Sequence, residues 1–457
     1  QPARSAARRT GGAGAVNPLP DVAVVTTAPA YNAEPPYHPS ERHPELRFRD
    51  VSPAPNPAYG ALRLLLLDLG LDAGRAGTAE WNPLSGIVRP GDTVLIKPNF
   101  VASRPPAGGD LFAVVTHPSI LRALIDYVHL ALGGRGRIIV ADAPEMGCQW
   151  DRLMAAQRLD AVQAWYRERF GFAIELRDLR DFEVRDPDRP PYAGNRTPRP
   201  GDPEGATLVG LGRRSEFHGM DSDRFYGADY DRRETIRHHH GDVHEYGIAN
   251  TFLRADVVIS VPKMKVHKKV GVTLNVKGFV GVAANKNCLV HYRLGPPSRN
   301  GDQMPDGLPA DDRLSLGVQR WLYDHVLARK SRAGDALYAA CRAAYRLLVK
   351  PFRPVSREAR MLDGGNWHGN DSAWRMAADL AKIAVFADRD GAIRASPQRR
   401  LFCVVDGVIG GENEGPLSPD AKPAGCLVAG RNPLAVDLVT TRLMGFDFRR
   451  LKQFSVL

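Results

Sequence analysis

The sequence predicts an α/β protein with a mostly parallel, Rossmann-like sheet, flanking helices and an irregular insertion, built as one unit or as two closely associated lobes. Three observations predict it. Between Tyr59 and Leu179, short apolar runs alternate with longer stretches of helical periodicity, the strand–helix–strand order of a parallel sheet. The same alternation returns after Ala255. Apolar runs in both stretches end in polar residues, and ligands of open parallel sheets bind beyond the carboxyl ends of their strands.

In chain order, residues 1–55 hold a tail, the short strand "DVAVVTTA" and a Pro-rich connection. The tail "QPARSAARRTGGAGAV" is rich in Arg, Gly and Ala and is expected to be disordered. It lacks an apolar signal core and an initiating Met, which points to a missing upstream piece. Residues 56–180 form an amino-terminal α/β region. Its helices are "AYGALRLLLLDLGLD", "HPSILRALIDYVHLAL" and "WDRLMAAQRLDAVQAWYRERFG", and its strands are "GDTVLIKPNF", "GRIIVADAP" and "AIELRDL". Residues 181–245 are dense in charge, Pro and Gly and read as an insertion. Residues 246–457 form a second α/β region: the strand "ADVVISVPKMK", helices within 311–361, late strands "RRLFCVVDGVIG" and "GCLVAG", and the helix "NPLAVDLVTTRLMGF".

The chain has 457 residues, 43% of them hydrophobic and 25% charged, which suits a globular protein. No apolar run reaches the roughly 18–20 residues of a membrane span; the best run, "LRLLLLDLGL", is interrupted by Asp68. The net charge of +11 favours anionic partners. Nucleic acid is not expected, because no zinc-finger, RRM or basic-zipper spacing is present. Five scattered cysteines without a C-x-x-C pair suit a reducing cytoplasm and argue against a disulfide scaffold or an iron–sulfur cluster. Oligomeric state is left open.

Chemistry is expected at the strand ends. The first gives Lys97-Pro98-Asn99 and the second Asp142-Ala143-Pro144-Glu145. The third runs into Lys263, Lys265, His267, Lys268 and Lys269, and the late strand ends at Asp406. His117 begins a helix before Pro118, with Thr116 as its expected N-cap, and joins Lys97 and Asn99 as a site candidate. After His267 come Thr273, Asn275 and Lys277 among small residues that let backbone amides approach a ligand. Imidazole transfers protons near neutral pH, so His267 is the expected acid/base. Glu412 and Glu414 lie in a glycine-rich loop beyond Asp406. Asp142, Asp406 and Glu412 are therefore candidate acids or ligands for a divalent metal. The run His238, His239, His240 and His244 reads as an exposed loop, with His240 and His244 the pair to test for metal.

The segments "GDTVLIKPNF", "THPSIL", "ADVVISVPKMKVHKKVGVTLNVKGFVGV", "NKNCLVHYRLGPPSRNGDQMPD", "GNWHGNDSAWRM", "VVDGVIGGENEGP" and "VAGRNPLAVDLVTTRLMGFD" resemble the domain of unknown function 362 family, in its order, from about Gly91 to Phe448. The name of that family records that no general activity is established. Some relatives carry ferredoxin-type cysteine motifs, which this chain lacks. A more distant resemblance is to the lactate racemase family, in which a histidine follows an "ADV-I" strand. Ten residues beyond it lies the lysine that attaches a nickel-pincer nucleotide. Here Lys277 follows His267 at that spacing, and His291 stands where a downstream nickel ligand would be. The resemblance implies a related fold. It does not imply the same cofactor, because Lys263 and Lys265 replace neutral or acidic positions and "VGVTLNVK" lacks the glycine-rich stretch before the lysine.

These readings predict an enzyme acting on a small anionic substrate, a carboxylate or a phosphorylated compound, by the proton or hydride shift of an isomerase or epimerase. His267, Lys277 and His117 are the expected catalytic residues, and Lys97, Asn99, Lys263, Lys265, Asn275, Lys286 and His291 the expected anion binders. The alternative is a non-catalytic binding protein for a polyanion or acidic polysaccharide.

Overall fold

The computed structural model describes residues 20–186, 193–229, 231–349 and 355–457. The tail predicted to be disordered lies almost wholly outside them. A ten-stranded sheet organises the molecule. Its strands are β1 (Val22–Thr26), β2 (Thr93–Pro98), β3 (Arg137–Asp142), β4 (Ile174–Asp178), β5 (Val257–Val261), β6 (Lys263–His267), β7 (Gly271–Thr273), β8 (Arg400–Glu412), β9 (Asp420–Lys422) and β10 (Cys426–Gly430). They lie in the order β1-β10-β8-β5-β2-β3-β4, with β6 and β9 also on β8 and β7 on β6. From β8 to β4 every pairing is parallel. The late strands add an antiparallel edge, β10 on β8 and β1 on β10. β5 lies beside β2, Val257 opposite Val94, so strands from 56–180 and from 246–457 share one sheet.

The central strands are apolar without alternation because both faces are covered. Val94, Ile96, Ile138, Val140, Val257 and Ile259 enter one core, and Leu95, Ile139 and Val258 enter the other. The first core is closed by α1 (Pro57–Asp68) and α2 (Pro118–Leu132). Asn56 caps α1 by accepting from Tyr59 N, and Gly133, in the left-handed conformation at φ 57°, ends α2. The single helix predicted over 150–171 is two, α3 (Trp150–Gln157) and α4 (Leu159–Phe170), because Arg158 turns left-handed at φ 49° between them.

Further along lie a four-residue turn of helix, α5 (Asn275–Gly278), then α6 (Ala310–His325), α7 (Arg332–Ala344), α8 (Ala373–Phe386) and α9 (Pro433–Leu443). Met376, Leu380 and Ile383 of α8 and Val436 of α9 close the second core. The 181–245 stretch holds short strands and turns, and its strand Phe225–Gly227 pairs with Val290–Arg293. Among the described residues no helix is long and apolar enough to cross a membrane.

Candidate functional site

The carboxyl ends of β2 and β3 meet in a buried ion pair. Lys97 Nζ donates to Asp142 Oδ1 at 2.9 Å and to the Pro98 carbonyl at 3.0 Å, while Asp142 Oδ2 accepts from Phe100 N at 2.8 Å. Gly281 lies directly on this pair. A Cβ there would stand 1.9 Å from Asp142 Oδ1 and 2.7 Å from Lys97 Nζ. The Gly281 carbonyl accepts from Ala143 N at 2.7 Å, so a residue without a side chain lets the segment that follows Lys277 close over the strand ends.

The lysine run expected at the end of the strand that begins at Ala255 is a strand of its own, β6, paired with β7 and β8. Its register on β8 slips between Lys263 and Lys265, and this separates the two lysines. Lys263 is buried and donates to Tyr31 Oη at 2.6 Å and to Asp406 Oδ2 at 3.1 Å, away from the cavity described below. Its expected anion-binding role gives way to an internal ion pair. His117 belongs to the same buried cluster. It stacks on Tyr31 at 3.9 Å, its Nδ1 accepts from Ser119 N, and it, rather than Thr116, is the N-cap of α2. Burial and Lys263 hold His117 well below the usual imidazole range, so its neutral ring caps a helix and is no acid/base of the cavity.

α5 carries Lys277, and α9 fixes its start. Asp437 Oδ1 accepts from Asn275 N at 2.9 Å and Asn275 Nδ2 at 2.7 Å, and Oδ2 accepts from Val276 N at 2.8 Å. Asn275, expected to bind the ligand, is turned to Asp437 and does not line the cavity.

Lys97, Asn99, Lys265, His267, Lys277, Lys286 and His291 are brought together around one cavity of about 440 Å³. Lys269 and Arg320 add two further cations; the acids in its wall are Asp142, Glu145 and Asp363. Asp142 is taken by Lys97, and Asp363 pairs with Arg320. Most lysine heads are tethered. Lys265 donates to the carbonyls of Val114 at 2.7 Å and Pro416 at 2.9 Å, Lys286 to those of Ala143 at 2.8 Å and Ala283 at 3.1 Å, and Lys269 to Gly364 O at 2.6 Å. Lys277 alone of the five lysines has no hydrogen-bond or ion-pair partner among the described residues. Burial, with Lys269, Lys286 and Lys97 close by, lowers its amine to about 7. Burial likewise lowers Lys269 and Lys286 to about 8. Lys265, buried beside Lys263 and Lys277, is pushed well below the ordinary lysine range.

The two histidines present opposite faces. His267 Nδ1 accepts from Lys269 N at 3.1 Å, which leaves the ring proton on Nε2. His291 Nδ1 lies 2.8 Å from the Leu289 carbonyl and must donate to it, which leaves a lone pair on Nε2. Burial and the nearest lysines, Lys277 for His267 and Lys269 for His291, push both imidazoles well below their usual range. The titration near neutral pH expected of His267 therefore belongs to Lys277. Thr273 Oγ1, in the same wall, is buried without a hydrogen-bond partner among the described residues.

The three proposed metal ligands are not brought together. Asp142 holds Lys97 and Asp406 holds Lys263 and Tyr31, while Glu412, at the end of β8, pairs with Lys422 at 3.2 Å. Among the described residues no group of three or more His, Cys, Asp or Glu is placed to hold a metal ion. The histidine run is not an exposed loop. His239 is buried and lies 2.8 Å from the Cys288 carbonyl, and His238 sits between Glu234 and Glu245.

Arg320, Asp363 and Tyr226 escaped the sequence reading. They reach the cavity from α6, from the segment before α8 and from the 181–245 stretch. Helical periodicity places Arg320 on a helix but not the side of the sheet that it faces, and the short strand of Tyr226 and the connection of Asp363 carry no periodic signal. Comparison with the curated proteins finds no match. A family model described as a domain of unknown function, DUF362, matches residues 94–187 and 184–442, which include the whole cavity wall. This match does not show the similarity to the lactate racemase family. With the family's pattern running through the parallel strands, β6, α5 and α9, the chain belongs to the DUF362 family.

Proposed function

We propose that this protein is an enzyme that binds a small anionic substrate, a carboxylate or phosphorylated compound, in the lysine-lined cavity. The proposed reaction is an isomerisation or epimerisation, in which a proton moves on a carbon next to an acidic group. The observation that carries the reading is the contrast among the lysines: four are tethered by carbonyls or by Asp142, and Lys277 has no partner among the described residues. Cations crowded in a buried wall favour an anion that restores their charged forms. A lysine brought down to about 7 is part neutral amine at physiological pH, the condition for a general base. In this reading Lys269 and Lys286 hold the anionic groups. Lys277 removes the proton, and His267 Nε2–H donates to the oxygen on which charge develops. His291 Nε2, with its lone pair, accepts a substrate hydroxyl or takes part in proton return.

A polyanion-binding module is the second reading, and the burial of the cations weighs against it. Lys265 and Lys286 are buried in the wall, whereas a polymer needs a row of exposed charges. A cytoplasmic setting suits five cysteines that are all free thiols.

The test is carbon–hydrogen exchange in D2O, followed by proton NMR, with a panel of 2-hydroxy acids, dicarboxylates and sugar phosphates. Wild-type protein is expected to exchange the proton α to the acidic or carbonyl group in one class. Lys277→Met is expected to bind that class and exchange nothing. A compound that binds in the cavity with no exchange by wild-type protein, or with unchanged exchange by Lys277→Met, contradicts the reading.

A further inference from the structure

Away from the cavity, α7 and the turn that extends it, Tyr345–Val349, present an apolar side to solvent. Gly334 and Tyr338 face inward, the Tyr338 ring 5.8 Å from that of Tyr323 on α6. The outward side carries Leu337, Ala340, Ala344, Leu347 and Leu348, the leucines being 54, 74 and 70% exposed. At helical spacing Leu337, Ala344 and Leu348 stand in one row with Ala340 and Leu347 beside it. α6 also leaves Leu314, Val318 and Trp321 exposed, at i, i+4 and i+7. An exposed apolar helix side such as that of α7 marks an interaction site.

The charge around the face indicates what covers it. Between residues 329 and 346 the cations are Arg329, Lys330, Arg332, Arg342 and Arg346, and the one acid is Asp335. Lys330 reaches Asp231 at 3.5 Å, and the Asp335 carboxylate accepts from Gly194 N. A second copy would bring the same arginines, and a net charge of +11, against itself. An apolar helix face bordered by arginines is the pattern of a helix that lies flat in a membrane interface, with leucines in the acyl boundary and guanidinium groups among anionic headgroups.

We propose that this face docks the protein on an anionic lipid bilayer, such as the cytoplasmic leaflet of a membrane, without crossing it. The inference does not depend on the chemistry of the cavity. The test is co-sedimentation with phosphatidylcholine vesicles, with and without phosphatidylserine, at low and high salt. Binding is expected only with phosphatidylserine and is expected to be reversed by salt. The pair Arg342→Gln and Arg346→Gln should weaken it about 30-fold, from the strength of cation–leaflet attraction. Leu347→Glu with Leu348→Glu should abolish it, and since both side chains are exposed the thermal melt should be unchanged. Absence of sedimentation, equal sedimentation with pure phosphatidylcholine, or binding that survives the leucine changes overturns the proposal. So does a concentration-dependent dimer that the leucine changes split, which would assign the face to a second copy.

Discussion

A buried lysine amine crowded by other cations gives up its proton more readily than a free one. Lys277 has a folded pKa of about 7 against an unfolded value of 10.5, so between those two pH values the folded state binds fewer protons than the unfolded chain. Its contribution to stability is therefore present above 10.5 and is lost as pH falls through about 7. Thermal melts of the ligand-free protein should rise with pH across that window. Lys277→Met should melt higher than wild type at pH 7 and rise less with pH; a lower melt would mean that Lys277 has a partner. Replacing Lys263 has the opposite effect on stability. Its head group sits on Asp406 with no exposure, so Lys263→Met leaves a buried carboxylate unpaired and should cost about 3–5 kcal/mol in denaturant unfolding. Once allowance is made for stability, anion binding by that variant should be unchanged. The pairing of His267 with Lys277 could be read from the residues, because both follow an apolar strand. The division of labour between Lys263 and Lys265 could not, since it arises from a register slip on β8 that leaves no mark in composition.

At the scale of elements, the placement of Lys277 depends on two contacts from outside α5. Asp437 on α9 holds the first two amides of α5, and Gly281 lets the segment after it rest on Lys97 and Asp142. Asp437→Ala should lower proton exchange more than it lowers binding, because it releases the orientation of Lys277 and leaves the tethered lysines in place. Equal losses in kcat and in affinity would instead indicate general loosening. Gly281→Ala forces a Cβ onto a buried ion pair and should destabilise the fold by roughly 1–3 kcal/mol. The central strands were readable as continuous apolar runs because both of their faces are buried. β6 was legible only as a continuation of β5, because its separate identity is imposed by pairing with β7 and β8. The break at Arg158 was equally hidden, since a left-handed arginine inside a helical pattern is set by tertiary packing rather than by propensity.

Across the whole molecule, the cavity is assembled from strand ends, from α5 and α6, and from connections more than 200 residues apart in sequence, from Lys97 to Leu417. Its polar wall was foreseeable from strand ends. Its closure by Tyr226, Arg320 and Asp363 was not, because nothing local in those segments refers to the sheet. Two limbs are expected in the pH dependence of kcat/KM. Activity should rise as Lys277 loses its proton near pH 7 and fall as Lys269 and Lys286, at about 8, lose the charges that hold the anion. The most direct measurement of the central claim is the titration of the cavity lysines by NMR after reductive 13C-methylation, with Lys277→Met assigning the resonance, in the absence and presence of phosphate or citrate. A Lys277 resonance that titrates near 7 alone and moves upward with the anion is expected. A resonance that titrates near 10.5 and ignores both anions would contradict the claim.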